Sequence, residues 1–133
     1  MKYIINGIYN TILYRMLQQG KIKVIDDKMT MYLIDDKEFI NQMKGCWAYA
    51  STAGFESICE AMYLGKPVLM VPSHIEQEIN GFDARRSNAG VVCNTFNLTE
   101  LIKFARTFIP DVRYKEWVQS ASSVIINELE NVC

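Results

Sequence analysis

The segment Ser51-Thr52-Ala53-Gly54 has the residue types of an anion-binding turn. It ends an apolar run and stands directly before a stretch of helical periodicity. Such a turn leaves backbone N–H groups unpaired at the start of the helix, and these groups and the helix dipole attract an anion, typically a phosphate. Gly54 would let that ligand approach the backbone, since glycine has no side chain. The alternative is an ordinary helix start with Ser51 or Thr52 as its cap.

Glu60 lies one and a half turns into the same predicted helix, outside its apolar stripe. A carboxylate at this place can accept two hydrogen bonds from a ribose diol while a phosphate sits at the helix start. Glu56 lies four residues earlier on the same face, and two like charges at this spacing cost some helix stability. This indicates a binding role for one of them, whereas the alternative for each is a solvated surface glutamate.

Glu76, Gln77 and Asn80 form a third polar group, which follows an apolar strand-like run ending at Pro72. A carboxylate beside two amides offers both acceptors and donors to the hydroxyl groups of a sugar. Because the carboxyl ends of parallel strands share one edge of a sheet, this group is expected at the same edge as Gly54. The alternative is a polar helix start, where the helix dipole favours Glu76.

Other catalytic chemistry has less support in this sequence. His74 is the only histidine and falls in a predicted loop, where a histidine is more often solvent-facing than catalytic. No Ser/His/Asp set can be assembled, and neither metal-ligand spacing, a Walker A motif nor G-x-G-x-x-G occurs. We therefore assign no catalytic residue from the sequence.

Apolar periodicity predicts the elements that position these residues. Strands are predicted at 2–5, 21–25, 29–34, 46–50, 68–71 and 91–93, and helices at 8–19, 36–44, 55–64, 76–88, 98–105 and 114–125. Asn97 and Glu100 have the spacing of a capping box. The alternation predicts an α/β fold: a Rossmann-like open, mostly parallel sheet with helices on both faces.

The composition is that of one globular domain over residues 1–133. Hydrophobic residues make up 50% and charged residues 22%, and the formal net charge of -1 argues against a nucleic-acid partner. The four cysteines are widely spaced, so we expect reduced thiols and a cytoplasmic location. No apolar run approaches the ~20 residues of a transmembrane helix. Membrane association, if any, would be peripheral and through a partner.

The three polar groups also fit one continuous pattern. It reads Thr52-Ala53-Gly54-Phe55, Glu60, Gly65-Lys66-Pro67, Pro72 and Glu76-Gln77-Glu78-Ile79-Asn80. This pattern resembles the C-terminal, donor-binding half of GT-B glycosyltransferases, with the MurG-like enzymes and the bacterial relatives of UDP-glycosyltransferases as the nearest likenesses. Looser similarity extends back to about Met31 and forward through the C-terminal helices.

The resemblance implies a role for each group of residues. The diphosphate would be held at Thr52, Ala53, Gly54, Phe55 and Ser57. The ribose hydroxyls would bind Glu60, the hexose hydroxyls would bind Glu76, Gln77 and Asn80, and the uracil would lie near Leu33 to Asp36. The resemblance implies a UDP-sugar as donor substrate, with no cofactor and no metal, because GT-B enzymes generally neutralise the leaving diphosphate with a helix dipole and side chains.

A complete GT-B enzyme has a second, N-terminal domain that binds the acceptor and usually carries the catalytic base. The Gly-rich loop expected after the first strand corresponds at best to Asn6-Gly7, so residues 1–20 are expected to be a truncated or altered start. Three arrangements stay open. The chain is a fragment of a longer enzyme, one subunit of a split enzyme such as the eukaryotic UDP-GlcNAc transferase of the dolichol pathway, or a degenerate remnant that binds without turnover.

The leading hypothesis is therefore the donor-binding domain of an inverting, metal-independent hexosyltransferase, which needs an acceptor-binding domain or subunit as partner. One alternative is a UDP-sugar epimerase or hydrolase fragment with the same fold. Another is a non-catalytic binding or assembly subunit whose last helix docks a partner through Tyr114 and Trp117. Packing in the core is the other interpretation for both aromatic residues.

Overall fold

The computed structural model describes residues 3–5, 22–24, 30–32 and 35–132, and the helix predicted over residues 8–19 lies outside these ranges. The strands in the described part are β1 (Tyr3–Ile5), β2 (Ile22–Val24), β3 (Thr30–Tyr32), β4 (Ala48–Ser51), β5 (Val68–Met70) and β6 (Gly90–Val92). The helices in that part are α1 (Asp36–Gly45), α2 (Phe55–Tyr63), α3 (Ile75–Arg86), α4 (Leu98–Thr107) and α5 (Val112–Val132).

Four of these strands form a parallel sheet in the order β1-β4-β5-β6. Each neighbouring pair is parallel, with Tyr49 opposite Val68 and Val68 opposite Gly90. The predicted open parallel sheet is thus confirmed. Strands β2 and β3 instead form a separate antiparallel pair, because the five residues between them are too few for the crossover that parallel strands require.

The sheet is covered on both faces, as predicted. One face, with Tyr49, Val68 and Met70, packs under α1, α2 and α3, and the other, with Leu69, packs under α4 at Leu101. All four residues of β4 are buried, as its apolar character on both faces predicts for a central strand.

Helix starts differ in how their first N–H groups are satisfied. The Asp35 carboxylate accepts from the Glu38 amide at 2.8 Å, and Asn97 Oδ1 accepts from the amides of Thr99 and Glu100. The predicted capping box is only half formed, because the Glu100 carboxylate pairs with Lys103. Helices α2 and α3 begin without any side-chain cap.

The Gly65-Lys66-Pro67 turn closes the opposite end of the domain. Gly65 has a φ of 63°, a left-handed conformation that glycine adopts without strain. The Lys66 ammonium donates to the carbonyls of Lys44 and Cys46 at 2.8 and 2.9 Å, and the Pro67 carbonyl accepts from the Tyr49 amide. This turn therefore fixes the end of α1 against the start of β4.

Helix α5 follows Pro110 and packs on α2 through its first turns, with Tyr114 beside Cys59. Burial and the hydrogen bond to Cys59 raise the pKa of Tyr114 to about 12, so its phenol stays neutral at physiological pH. The interpretation of Trp117 as a core residue is wrong, since 63% of this residue is exposed. None of the helices in the described ranges is long and apolar enough to cross a membrane.

Candidate functional site

The turn from β4 to α2 is built around Ser51 and Ala53. The Ala53 amide donates to Ser51 Oγ at 2.9 Å, and Ala53 has a φ of 66°. A left-handed alanine costs roughly 1–2 kcal/mol, and the turn is held by burial of both residues. Because Ser51 serves this bond and Gly54 is the N-cap residue, the alternative of a Ser51 or Thr52 cap on α2 is wrong.

Gly54 is not required by the fold for its conformation or for space. Its φ is −63°, and a Cβ there would meet only Ser57 Oγ, at an ordinary 3.7 Å. The structure itself thus leaves room for a side chain at this position. Its place as the N-cap residue of α2 is one physical reason for glycine, and an open backbone at the helix start is another.

The start of α2 offers backbone donors from Gly54 onward. Ala53 does not add to them, because its amide donates to Ser51 and its carbonyl accepts from Asn80 Nδ2 at 3.1 Å. The Ser57 hydroxyl donates to the Gly54 carbonyl at 3.0 Å and would have to turn away from it to bind an anion. Phe55 is 63% exposed, whereas Ile58 and Ala61 are buried on the inner face of α2.

Glu60 lies half-buried on the side of α2 that faces α1. Burial and the charges of Glu56 and Asp36 raise the pKa of Glu60. The carboxylate borders an open groove of about 430 Å³ between α1, α2 and α5, and Lys44 lines the same groove. Leu33 and Ile34 of the predicted uracil region lie outside the described residues.

The third polar group lies at the start of α3. Gln77 Oε1 accepts from both the amide and the hydroxyl of Ser73 at 2.9 Å. A backbone amide can only donate, so this contact fixes the orientation of the Gln77 amide and leaves its NH₂ group for a ligand. Glu76 is exposed, and His74 is an exposed N-cap residue whose side chain makes no capping bond.

Asn80 joins two of the predicted groups. Its NH₂ group donates to the Ala53 carbonyl, 27 residues away in sequence, and thereby ties α3 to the β4–α2 turn. The same turn is held from β5 by the bond of the Val71 amide to the Ser51 carbonyl. This bond makes Asn80 a positioning residue for the turn and uses one of the two N–H groups of its amide, so the second N–H and Oδ1 are not engaged by it.

Replacement of Asn80 by Leu is expected to destabilise the protein by about 1–3 kcal/mol, because it leaves the Ala53 carbonyl without its partner. Chemical denaturation measures this loss. Gln77→Leu serves as the comparison, since Gln77 bonds only to the nearby Ser73 and should matter less for unfolding. A larger loss for Gln77→Leu than for Asn80→Leu would contradict the positioning role.

Among the predicted residues, the described contacts join Asn80 to the β4–α2 turn. Glu60 borders the groove that Lys44 and Leu64 also line, and Gln77 bonds to Ser73 at the start of α3. Sequence reasoning missed Ser73 and Lys44, whose roles depend on contacts with Gln77 and on the approach of α1 to α2. Across the described ranges, no three His, Cys, Asp or Glu residues are grouped so as to hold a metal ion.

Comparison with known protein families assigns most of the chain to one family. The family model described as glycosyl transferase family 1 matches residues 4–110, which is most of the chain and includes the whole β4–α3 region. No curated protein matches the chain. The chain therefore belongs to glycosyl transferase family 1, and its α/β domain is a GT-B-like glycosyltransferase domain.

Proposed function

We propose that this domain binds the UDP-sugar donor of an inverting, metal-independent hexosyltransferase. The observation that carries the proposal is the start of α2 at Gly54, where the described residues provide no side-chain cap and glycine leaves the backbone open to a ligand. Family membership indicates a nucleotide-sugar donor in general. The choice of UDP rests on the pattern from Thr52 to Asn80.

The diphosphate would lie against the first turn of α2. Among the described residues, no side chain accepts from the amides of Gly54 and Phe55, and the positive end of the helix dipole points toward the same place. In transfer of a hexosyl group, negative charge develops on the leaving diphosphate. Donors fixed before the reaction would stabilise this charge without a metal ion.

The nucleoside would extend toward α1 and the hexose toward α3. The Glu60 carboxylate would accept hydrogen bonds from the ribose diol, which favours its ionised form and lowers a pKa that burial and like charges raise in the free protein. On the other side, the Gln77 NH₂ group is free to donate to a sugar hydroxyl, and the exposed Glu76 can accept from one.

The acceptor and the catalytic base would come from a separate domain or subunit. Helix α5 supports such a partner, because none of its residues is buried and Trp117, Val124 and Leu129 are more than half exposed. In the described part of the chain, Cys46, Cys59 and Cys93 form no disulfide, which supports a reaction in the reducing cytoplasm.

Calorimetric titration with UDP, with GDP and TDP beside it, tests the proposal. The wild-type chain should bind UDP in preference to the other two. Gly54→Ala should abolish most of this binding and lower the melting temperature only slightly, since a Cβ fits the fold and alanine is merely a poorer N-cap residue, but the Cβ would intrude on the diphosphate. Gly45→Ala is the control, because nothing lies within 4 Å of its Cβ position and it is remote from α2's start. Equal UDP affinity of Gly54→Ala and the wild type would contradict the diphosphate assignment.

A further inference from the structure

Helix α3 has its small apolar residues inside and its large ones outside. Gly81 and Ala84 are buried against the sheet, whereas Ile75, Ile79 and Phe82 are 70%, 57% and 59% exposed. These three residues are spaced four and three apart, so they form one stripe along the outer face of the helix. We call Ile75, Ile79 and Phe82 the outer stripe.

The exposure of the outer stripe is imposed by the packing of the inner face. A Cβ on Gly81 would already lie 3.3 Å from Val92 Cγ2 and 4.0 Å from Met70 Cβ. The helix therefore lies too close to β5 and β6 for a large side chain between them. Rotation of α3 therefore cannot bury Phe82 against the sheet.

The charges that border the outer stripe change sign along the helix. Glu76 and Glu78 lie in the first turn, and Arg85 and Arg86 in the last. Glu78 and Arg85 are seven residues apart, so they lie on the same flank of the stripe. The Arg86 guanidinium lies over the Phe82 ring at 5.7 Å from its centroid.

We infer that the outer stripe binds a second copy of this chain, with the two α3 helices antiparallel across a two-fold axis near Phe82. In this arrangement Phe82 of one copy contacts Phe82 and Ile79 of the other. The two-fold axis also places Glu78 of each copy opposite Arg85 of the other, so the pair forms twice. The acidic end of each helix meets the basic end of its partner, and the two helix dipoles oppose each other favourably.

The same charges argue against a membrane as the occupant. Glu78 lies on one flank of the outer stripe and Glu76 and Asp83 on the other, all exposed. Anionic headgroups would repel these carboxylates. A second copy supplies the basic partners that the acidic end requires.

The interface would leave the proposed donor site open. Asn80 contacts the Ala53 carbonyl from the opposite side of α3, so the start of α2 faces away from the outer stripe. Dimerisation and UDP binding are therefore separable. The apolar patch is smaller than the roughly 800 Å² per partner of a standard interface, so the dimer is expected to be reversible with concentration.

Sedimentation velocity over a range of protein concentration tests the dimer. The wild type should shift from monomer to dimer, and Phe82→Glu should stay monomeric with its circular dichroism and UDP affinity unchanged. Ile125→Glu on α5 is the matched control, since Ile125 is 59% exposed but lies outside the outer stripe. A wild type that is monomeric throughout, or a dimer that survives Phe82→Glu, overturns the inference.

Charge reversal tests the antiparallel arrangement itself. Glu78→Arg and Arg85→Glu should each weaken the dimer roughly tenfold, because each places two like-charged pairs in the interface. The double variant Glu78→Arg/Arg85→Glu should regain most of the wild-type association, since both pairs are restored with reversed sign. A double variant as weak as the single ones excludes the two-fold antiparallel pairing.

Discussion

Replacement of Glu60 by Gln is expected to lower the affinity for UDP by at least about tenfold. Hydrogen bonds to a charged acceptor contribute about 1.5–3 kcal/mol each, and 1.4 kcal/mol corresponds to a factor of ten. Glutamine keeps the shape of the side chain but loses the charge and one acceptor oxygen. Titration calorimetry of the variant with UDP measures the change.

The same substitution is expected to stabilise the free protein slightly at neutral pH. Burial and the charges of Glu56 and Asp36 raise the pKa of Glu60 in the folded state. Below the pKa that Glu60 has in the unfolded chain, its carboxyl is neutral and the stability linked to the neutral form is fully present. This stability is lost as the pH rises through the higher pKa that Glu60 has in the folded protein. Glu60→Gln should melt above the wild type at pH 7.5, and the difference should vanish near pH 4.

Glu56→Gln is the matched control for both effects. Glu56 lies four residues before Glu60 on the same helix and is one cause of the raised Glu60 pKa. Its replacement should relieve the same repulsion yet leave the affinity for UDP unchanged. Equal losses of affinity in the two variants would show a general effect of charge, and unchanged affinity in Glu60→Gln would contradict the ribose assignment.

Replacement of Gly90 by Ala is expected to destabilise the fold by about 3–5 kcal/mol, among the largest effects of a single substitution. The added Cβ would lie 2.1 Å from the Val68 carbonyl oxygen and 3.0 Å from Met70 Cε. Val68 is the residue opposite Gly90 in the sheet, so relief requires strands β5 and β6 to separate. Denaturant unfolding, followed by circular dichroism, measures the loss.

Gly45→Ala is the control for this second prediction as well. No atom lies within 4 Å of the Cβ position at Gly45, the last residue of α1. The free energy of unfolding of the Gly45→Ala variant should be unchanged or higher by up to about 1 kcal/mol, since alanine favours helix more than glycine does. If Gly90→Ala instead unfolds at the wild-type denaturant concentration, β6 does not pair with β5 as described.

The features that the sequence determined are those set by neighbours along the chain. The apolar run around Tyr49 predicts a central strand, an aspartate at Asp35 or Asp36 predicts the start of α1, and Gly65 predicts the end of α2. Each depends on propensity, capping or periodicity within a few residues. The motif from Thr52 to Asn80 likewise has its residues at fixed local spacings, so the family could be recognised before the fold was known.

Only the tertiary structure decided which surfaces those elements cover. It placed the left-handed conformation at Ala53 and tied its carbonyl to Asn80, 27 residues away. It also turned Trp117 and the outer stripe toward solvent, although their periodicity alone is equally typical of core residues. Apolar periodicity shows that a helix has an apolar face, but the space beside Gly81 at β5 and β6 decides which face is buried. That space is set by residues distant in sequence, and it therefore cannot be inferred from the helix itself.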